Sequence, residues 1–292
     1  MNKYLGDYIP RKTEISENLT SLHDFNKVGV ELFKEIAIPI RIISGSKRIN
    51  PQTGEFIEYE KETAVIIGSF VRYGKLTSSL LEQFTQARTE NAIIFFRCLA
   101  ETFINLKYFL KYSDDFTIKH FIKHSLQTEK EMLEIIRKNV SDKEQMSHIE
   151  KRMTKSINQA FDETDFDFDE LNKSTKWNKK VKSRISDILH PEAYSFIYGA
   201  GSQAIHGNWQ DLVSFHLEKG ENGYFPKTEW TVPQIQILTS ATIMSCDILK
   251  EYLELFFPND NERSELFKLI QDISNRCEKL VEIHENYLKE KK

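Results

Sequence analysis

Chemistry in this chain concentrates in YSFIYGAGSQAIHGNWQDL, Tyr194 to Leu212, where Tyr194, Tyr198, Ser202 and His206 recur at a spacing of four. On a helix that spacing sets three hydroxyls and an imidazole along one slowly drifting face, where a buried helix would carry apolar residues. Imidazole is the side chain whose ordinary proton affinity lies near neutral pH, so His206 is the candidate general acid or base. A second stretch, NAIIFFRCLAETFINLKYFLKY, sets Arg97 and Glu101 four residues apart inside a run of Ile, Phe, Leu and Tyr. An ion pair on an apolar helix face predicts that the two helices meet, with Arg97 and Glu101 beside His206. The same network has a structural reading, in which the pair fixes helix register through Tyr198 and His206 and does no chemistry.

Other chemistries fit the residues less well. His120 and His124 stand at i, i+4, as two metal ligands on a helix would, but HFIKH lacks the glutamate of a metalloprotease helix and no third ligand is evident. DFDFDE opens like a calcium loop, yet Glu170 stands where glycine is required and Lys176 where a bidentate glutamate is required. The glycines of GAGSQAIHG lack the Lys-Ser/Thr ending of a phosphate loop, and no α/β frame is present for a Ser-His-acid hydrolase. No metal and no cofactor are expected.

The elements that must position these residues read as helices. The 292 residues include 20 Phe and 11 Tyr, enough for a sizeable core, and only 11 Gly and 7 Pro, few for a strand-rich fold. The expected fold is all-α, a multi-helix antiparallel bundle with a long loop insertion and little or no sheet. Residues 1–60 are expected to form an N-terminal arm, a helix stopped or kinked at Pro39, and a loop or small hairpin. Residues 61–292 are expected to form the helical bundle domain, with the N-terminal helix packed on it. Within it, Ser113 to Asp115 caps one helix, and Ser141 with Asp142 starts another. The span from Asn208 to Pro233 reads as a long, partly extended loop packed down by Trp209, Tyr224 and Trp230.

Net charge is −4, so any contact with nucleic acid has to be local. Lys173, Lys176, Lys179, Lys180, Lys182 and Arg184 form such a local basic patch, with Trp177 and Trp209 as stacking faces. The three cysteines stand far apart, no apolar run approaches a membrane span, and the first residues lack a signal-peptide core. A cytoplasmic protein without membrane contact is expected, pairing with a copy of itself or a helical protein partner through its terminal helices.

The segments FFRCLAETFINLKYFL and YSFIYGAGSQAIHGNW resemble a widespread bacterial family, domain of unknown function 5677, with its Arg-x3-Glu helix and later Tyr/Ser/His-Gly helix. The resemblance covers roughly Glu62 to Leu255. That family is similar to HEPN-type helical proteins, many of them metal-independent ribonucleases of toxin and phage-defence systems with an Arg-x4-6-His motif. The resemblance implies His206 as acid or base, Arg97 as the cation facing a phosphate, and Glu101 as its orienting partner. Tyr198, Ser202, Asn208 and Trp209 are then expected on the substrate side, with RNA as substrate. The chain departs from the motif, because no arginine lies four to six residues before His206; Arg184 and His190 have the spacing, but one such match is expected by chance. The alternative is a non-enzymatic helical module for protein binding or ligand sensing.

Overall fold

A computed structural model describes residues 12–112, 114–143, 145–164, 166–168, 171, 181–189, 205–257 and 260–291. The first helix, α1 (Leu22–Ser44), starts where Ser21 turns extended: its hydroxyl accepts the Asp24 N–H, and the Asp24 carboxylate accepts the Ser21 N–H in return. Sequence reading stops or kinks this helix at Pro39; it does not stop there but runs on to Ser44. Proline costs one backbone hydrogen bond, and the apolar residues on either side of it, Phe33, Ile36, Ile40 and Ile43, are all buried, so packing carries the helix through. The break expected next is a two-stranded antiparallel hairpin, β1 (Arg48–Ile49) with β2 (Phe56–Ile57).

Two long helices follow, α2 (Lys61–Thr85) and α3 (Thr89–Lys111), which pack against each other across a three-residue turn. The next pair is α4 (Asp115–Lys143) and α5 (His148–Asp162). Asp114 caps α4 by accepting the Thr117 N–H at 2.7 Å. Ser141 and Asp142, expected to start a helix, are inside α4, and the cap of α5 is Ser147 with Glu150 reaching back to it. That S-x-x-E pattern is a complete capping box, which outcompetes the Ser-Asp pair as a helix start.

The short α6 (Val181–Ile188) precedes a second irregular stretch. There α7 (Trp209–Asp211) runs into a π-helical turn, Leu212–His216, and then into the antiparallel hairpin β3 (Leu217–Lys219) with β4 (Tyr224–Pro226). Two helices complete the fold, α8 (Ile235–Phe256) and α9 (Asp260–Glu290). The molecule is thus predominantly helical, with two small two-stranded sheets among the described residues.

The chain divides into two compact units. The larger takes residues 1–111 and 185–292, and α8 is its centre, packed against α1, α3 and α9. Twelve of its side chains are buried, and its Ser245 hydroxyl shares a buried 3.0 Å hydrogen bond with Tyr73 of α2. Burial pushes the Tyr73 phenol well above its ordinary range, so it remains a neutral hydrogen-bonding group. The smaller unit, residues 112–184, contains the α4–α5 hairpin, where Leu133, Ile136 and Ile157 form one buried cluster with Val140, Met153, Phe161 and Phe168 packed around it, and Ile118, Ile122 and Leu126 are buried further back along α4. No described helix is long and apolar enough to cross a membrane.

Candidate functional site

Ile205 and His206 are helical, and the chain then turns at Gly207, whose φ of +55° is a conformation that L side chains rarely adopt. Asn208 returns to extended backbone and caps α7, its side-chain oxygen accepting the Asp211 N–H at 3.0 Å. From Leu212 the helix widens into the π form, in which residues five apart, not four, lie above one another. Asp211 and His216 have that spacing. The His216 Nε2 lies 3.5 Å from Asp211 Oδ2, with Asp211 6% exposed and His216 half-exposed. The buried carboxylate thus faces one ring nitrogen of His216, the placement of an orienting partner.

His206 is exposed, as is Trp209, whose ring stands edge-on to Tyr224 of β4 with centroids 5.4 Å apart. Trp209, Tyr224 and Trp230 were expected to pin the segment down, yet they are 59%, 48% and 52% exposed. The tie that does hold the segment is polar. The Thr89 N–H and hydroxyl both donate to the Thr231 carbonyl, and the Glu90 carboxylate accepts the Thr231 N–H, so the start of α3 grips the chain just before Pro233. Arg88 lies over the Trp230 ring, 5.6 Å from its centroid.

Arg97 and Glu101 meet as the spacing predicts, with Nη1 donating to Oε2 at 3.0 Å. The guanidinium is 4% exposed while its partner is half-buried. Arg97 has at least one further partner. Among the described residues no hydrogen bond or ion pair joins His206 to Arg97 or Glu101. Tyr198 and Ser202, also expected beside His206, lie outside the described residues, as do Tyr194, His190, Trp177 and the lysines 173, 176, 179 and 180. Of the basic patch, Lys182 is exposed and Arg184 is buried.

Among the described residues no group of three or more His, Cys, Asp or Glu is placed to hold a metal ion. His120 instead places Nδ1 2.8 Å from its own helix at the Phe116 carbonyl, and His124 faces Gln127. Cys98, Cys246 and Cys277 are free, and burial pushes the Cys277 thiol up to about 12, which makes it a poor nucleophile. The Asp211–His216 pair is what sequence reading missed, since a spacing of five matches neither the strand period of two nor the three-to-four spacing of an α-helix face.

A model of the family of unknown function DUF5677 matches residues 63–224, more than half of the chain. The chain belongs to that family. No curated protein and no solved structure matches it. The DUF5677 match runs from α2 to the first residue of β4, so it takes in Arg97, Glu101, the smaller unit and the whole His206–His216 segment. It leaves out α1, α8 and α9, three of the five long helices of the larger unit.

Proposed function

We propose that this DUF5677 chain cleaves single-stranded RNA without a metal, as a HEPN-like ribonuclease of a toxin or phage-defence system, at the segment from His206 to Tyr224. The observation that carries the reading is two exposed imidazoles, one of them facing a buried carboxylate, in the same segment as the exposed Trp209–Tyr224 pair. Stacking faces and accessible proton-transfer groups are what a single-stranded RNA site needs.

In this reading His206 takes the proton of a ribose 2′-hydroxyl, and the oxygen attacks the adjacent phosphorus as the bond to the 5′ oxygen breaks. The products are a 2′,3′-cyclic phosphate and a 5′-hydroxyl. The leaving oxygen receives its proton from a protonated imidazole, the role assigned to His216 with Asp211 orienting it. Arg97, buried and paired with Glu101, contributes its charge through the protein and not by direct contact with the phosphate. Tyr198, Ser202, Asn208 and Trp209 remain on the substrate side.

Incubating the purified protein with total RNA in EDTA tests this. Wild type should cleave, and His206→Ala or His216→Ala at matched thermal stability should lose about 100-fold or more. Wild type that leaves RNA intact overturns the reading. A non-enzymatic protein-binding module is then favoured by a specific observation: Ile205, Trp209, Leu212, Tyr224, Phe225, Trp230 and Val232 are all exposed within one segment.

A further inference from the structure

A phosphate strand held at the His206–His216 segment needs an exposed cation, and Arg97 does not supply it, being 4% exposed and paired with Glu101. The hairpin supplies one next to His216. β3 and β4 pair Leu217 with Pro226, and one step beyond that pair the Lys227 N–H donates to the His216 carbonyl at 2.9 Å. The register thus continues so that Lys227 stands directly opposite His216. Residues opposite each other on a ladder have Cβ atoms roughly 4.5–5.5 Å apart.

The Lys227 charge is carried away from the imidazole, along its own strand. Its ammonium lies 3.4 Å from the Thr231 hydroxyl, and Thr231 is a fixed point. The Thr231 carbonyl accepts the N–H and the hydroxyl of Thr89, its N–H donates to the Glu90 carboxylate at 3.4 Å, and Asn26 holds the Pro233 carbonyl at 2.9 Å two residues on. Among the described residues no carboxylate forms an ion pair with Lys227, the buried Glu90 included. An ammonium that meets only a hydroxyl keeps two donors for an anion.

Trp230, next to Thr231 in the chain, adds a stacking face. Arg88 lies over its ring, 5.6 Å from the centroid, and the residue is still 52% exposed. A ring covered on one face by a guanidinium is held in place and offers its other face to a base.

We propose, on the reading of this segment as an RNA site, that Lys227 and Trp230 form a second nucleotide station beside the reacting one. Trp230 stacks a base, and Lys227 binds the phosphate next to the one on which His206 and His216 act. The strand then runs from the Trp209–Tyr224 pair along the hairpin, past His216, to Trp230. Both contacts are to parts of the strand that do not react, so they hold substrate and transition state alike and act on KM and not on kcat.

Binding of a short 2′-O-methyl RNA oligonucleotide in EDTA, read by fluorescence anisotropy over a salt series, tests this. The probe keeps bases and phosphates and has no 2′-hydroxyl to attack. Lys227→Ala should make the plot of log affinity against log salt shallower by about 0.7, one phosphate contact on a single strand, and Lys227→Arg should restore it. Trp230→Ala should weaken binding about 5- to 150-fold at every salt concentration with the slope unchanged, and Trp230→Phe should keep most of the affinity. A wild type that does not bind, an unchanged slope in Lys227→Ala, or a Trp230→Ala variant that binds like wild type overturns the proposal. The ribonuclease reading stands or falls separately, on unmodified RNA. A protein that binds the probe in this pattern without cutting RNA keeps the station and loses the chemistry; one that cuts RNA while Lys227→Ala leaves the slope unchanged does the reverse.

Discussion

At the scale of single residues, the largest electrostatic commitment in the larger unit is Glu35 with Arg276. The Glu35 side chain is 1% exposed and accepts three N–H groups, two from Arg276 at 2.7 and 2.8 Å and one from the Thr13 backbone at 2.7 Å. Burial alone would weaken the hold of Arg276 on its proton, but its bonds to Glu35 and Asp272 outweigh that and raise it above its ordinary value. Replacing Arg276 by Met leaves the buried carboxylate without its cation, for an expected loss of about 3–5 kcal/mol in urea unfolding. Adding Glu35→Leu to the same chain should recover most of it, and a single variant that loses under about 1 kcal/mol would contradict the assignment. His284 of α9 is the opposite case: 2% exposed, edge-on to Phe25 at 4.8 Å, and held below its ordinary proton affinity by burial, with Glu285 opposing. The folded state therefore binds less proton here than the unfolded one. Its contribution is complete above about pH 6.5, the unfolded value, and is lost as pH falls below it toward the lower folded value. His284→Phe should lose less melting temperature between pH 7.5 and 5.5 than wild type, and equal losses would refute this.

At the scale of elements, the long helices were legible because each buries one face at helical spacing between recognisable ends. The errors have local causes. Pro39 is overridden by the buried side chains around it, and Ser141 is overridden by the better cap at Ser147. The Arg97–Glu101 pair was legible from its spacing, whereas Asp211 with His216 required a π turn that no four-residue period announces. The exposure of Trp209, Tyr224 and Trp230 is set by tertiary packing, and aromatic residues in a loop do not disclose it. Gly29 shows how closely two elements are fitted. A Cβ added there would lie 2.0 Å from Ile235 Cδ1, so α1 and α8 approach through that glycine. Gly29→Ala should therefore cost about 1–3 kcal/mol despite its better helix propensity, and Ile235→Val in the same chain should return part of it. A stabilised Gly29→Ala variant would show that the contact yields freely.

At the scale of the whole molecule, the family match covers the middle of the chain while the core helices α1, α8 and α9 lie on either side of it. The matched part includes the smaller unit entire and the candidate RNA segment, so the proposed chemistry falls inside what the family shares. That segment is not self-supporting, since α3, which holds Arg97 and grips Thr231, is packed largely against α2 and α8. One tie spans this whole arrangement: Glu35 and Arg276 are 241 positions apart. On a ribosome adding about 5–20 residues per second, roughly 12–50 s pass between the synthesis of that carboxylate and the arrival of the arginine that pairs it. The hairpin between residues 112 and 184 is complete well within that interval, while α1 waits with a charge on the face it will later bury. Until the last long helix emerges, the nascent chain has every reason to keep α1 in water or in the hands of a chaperone.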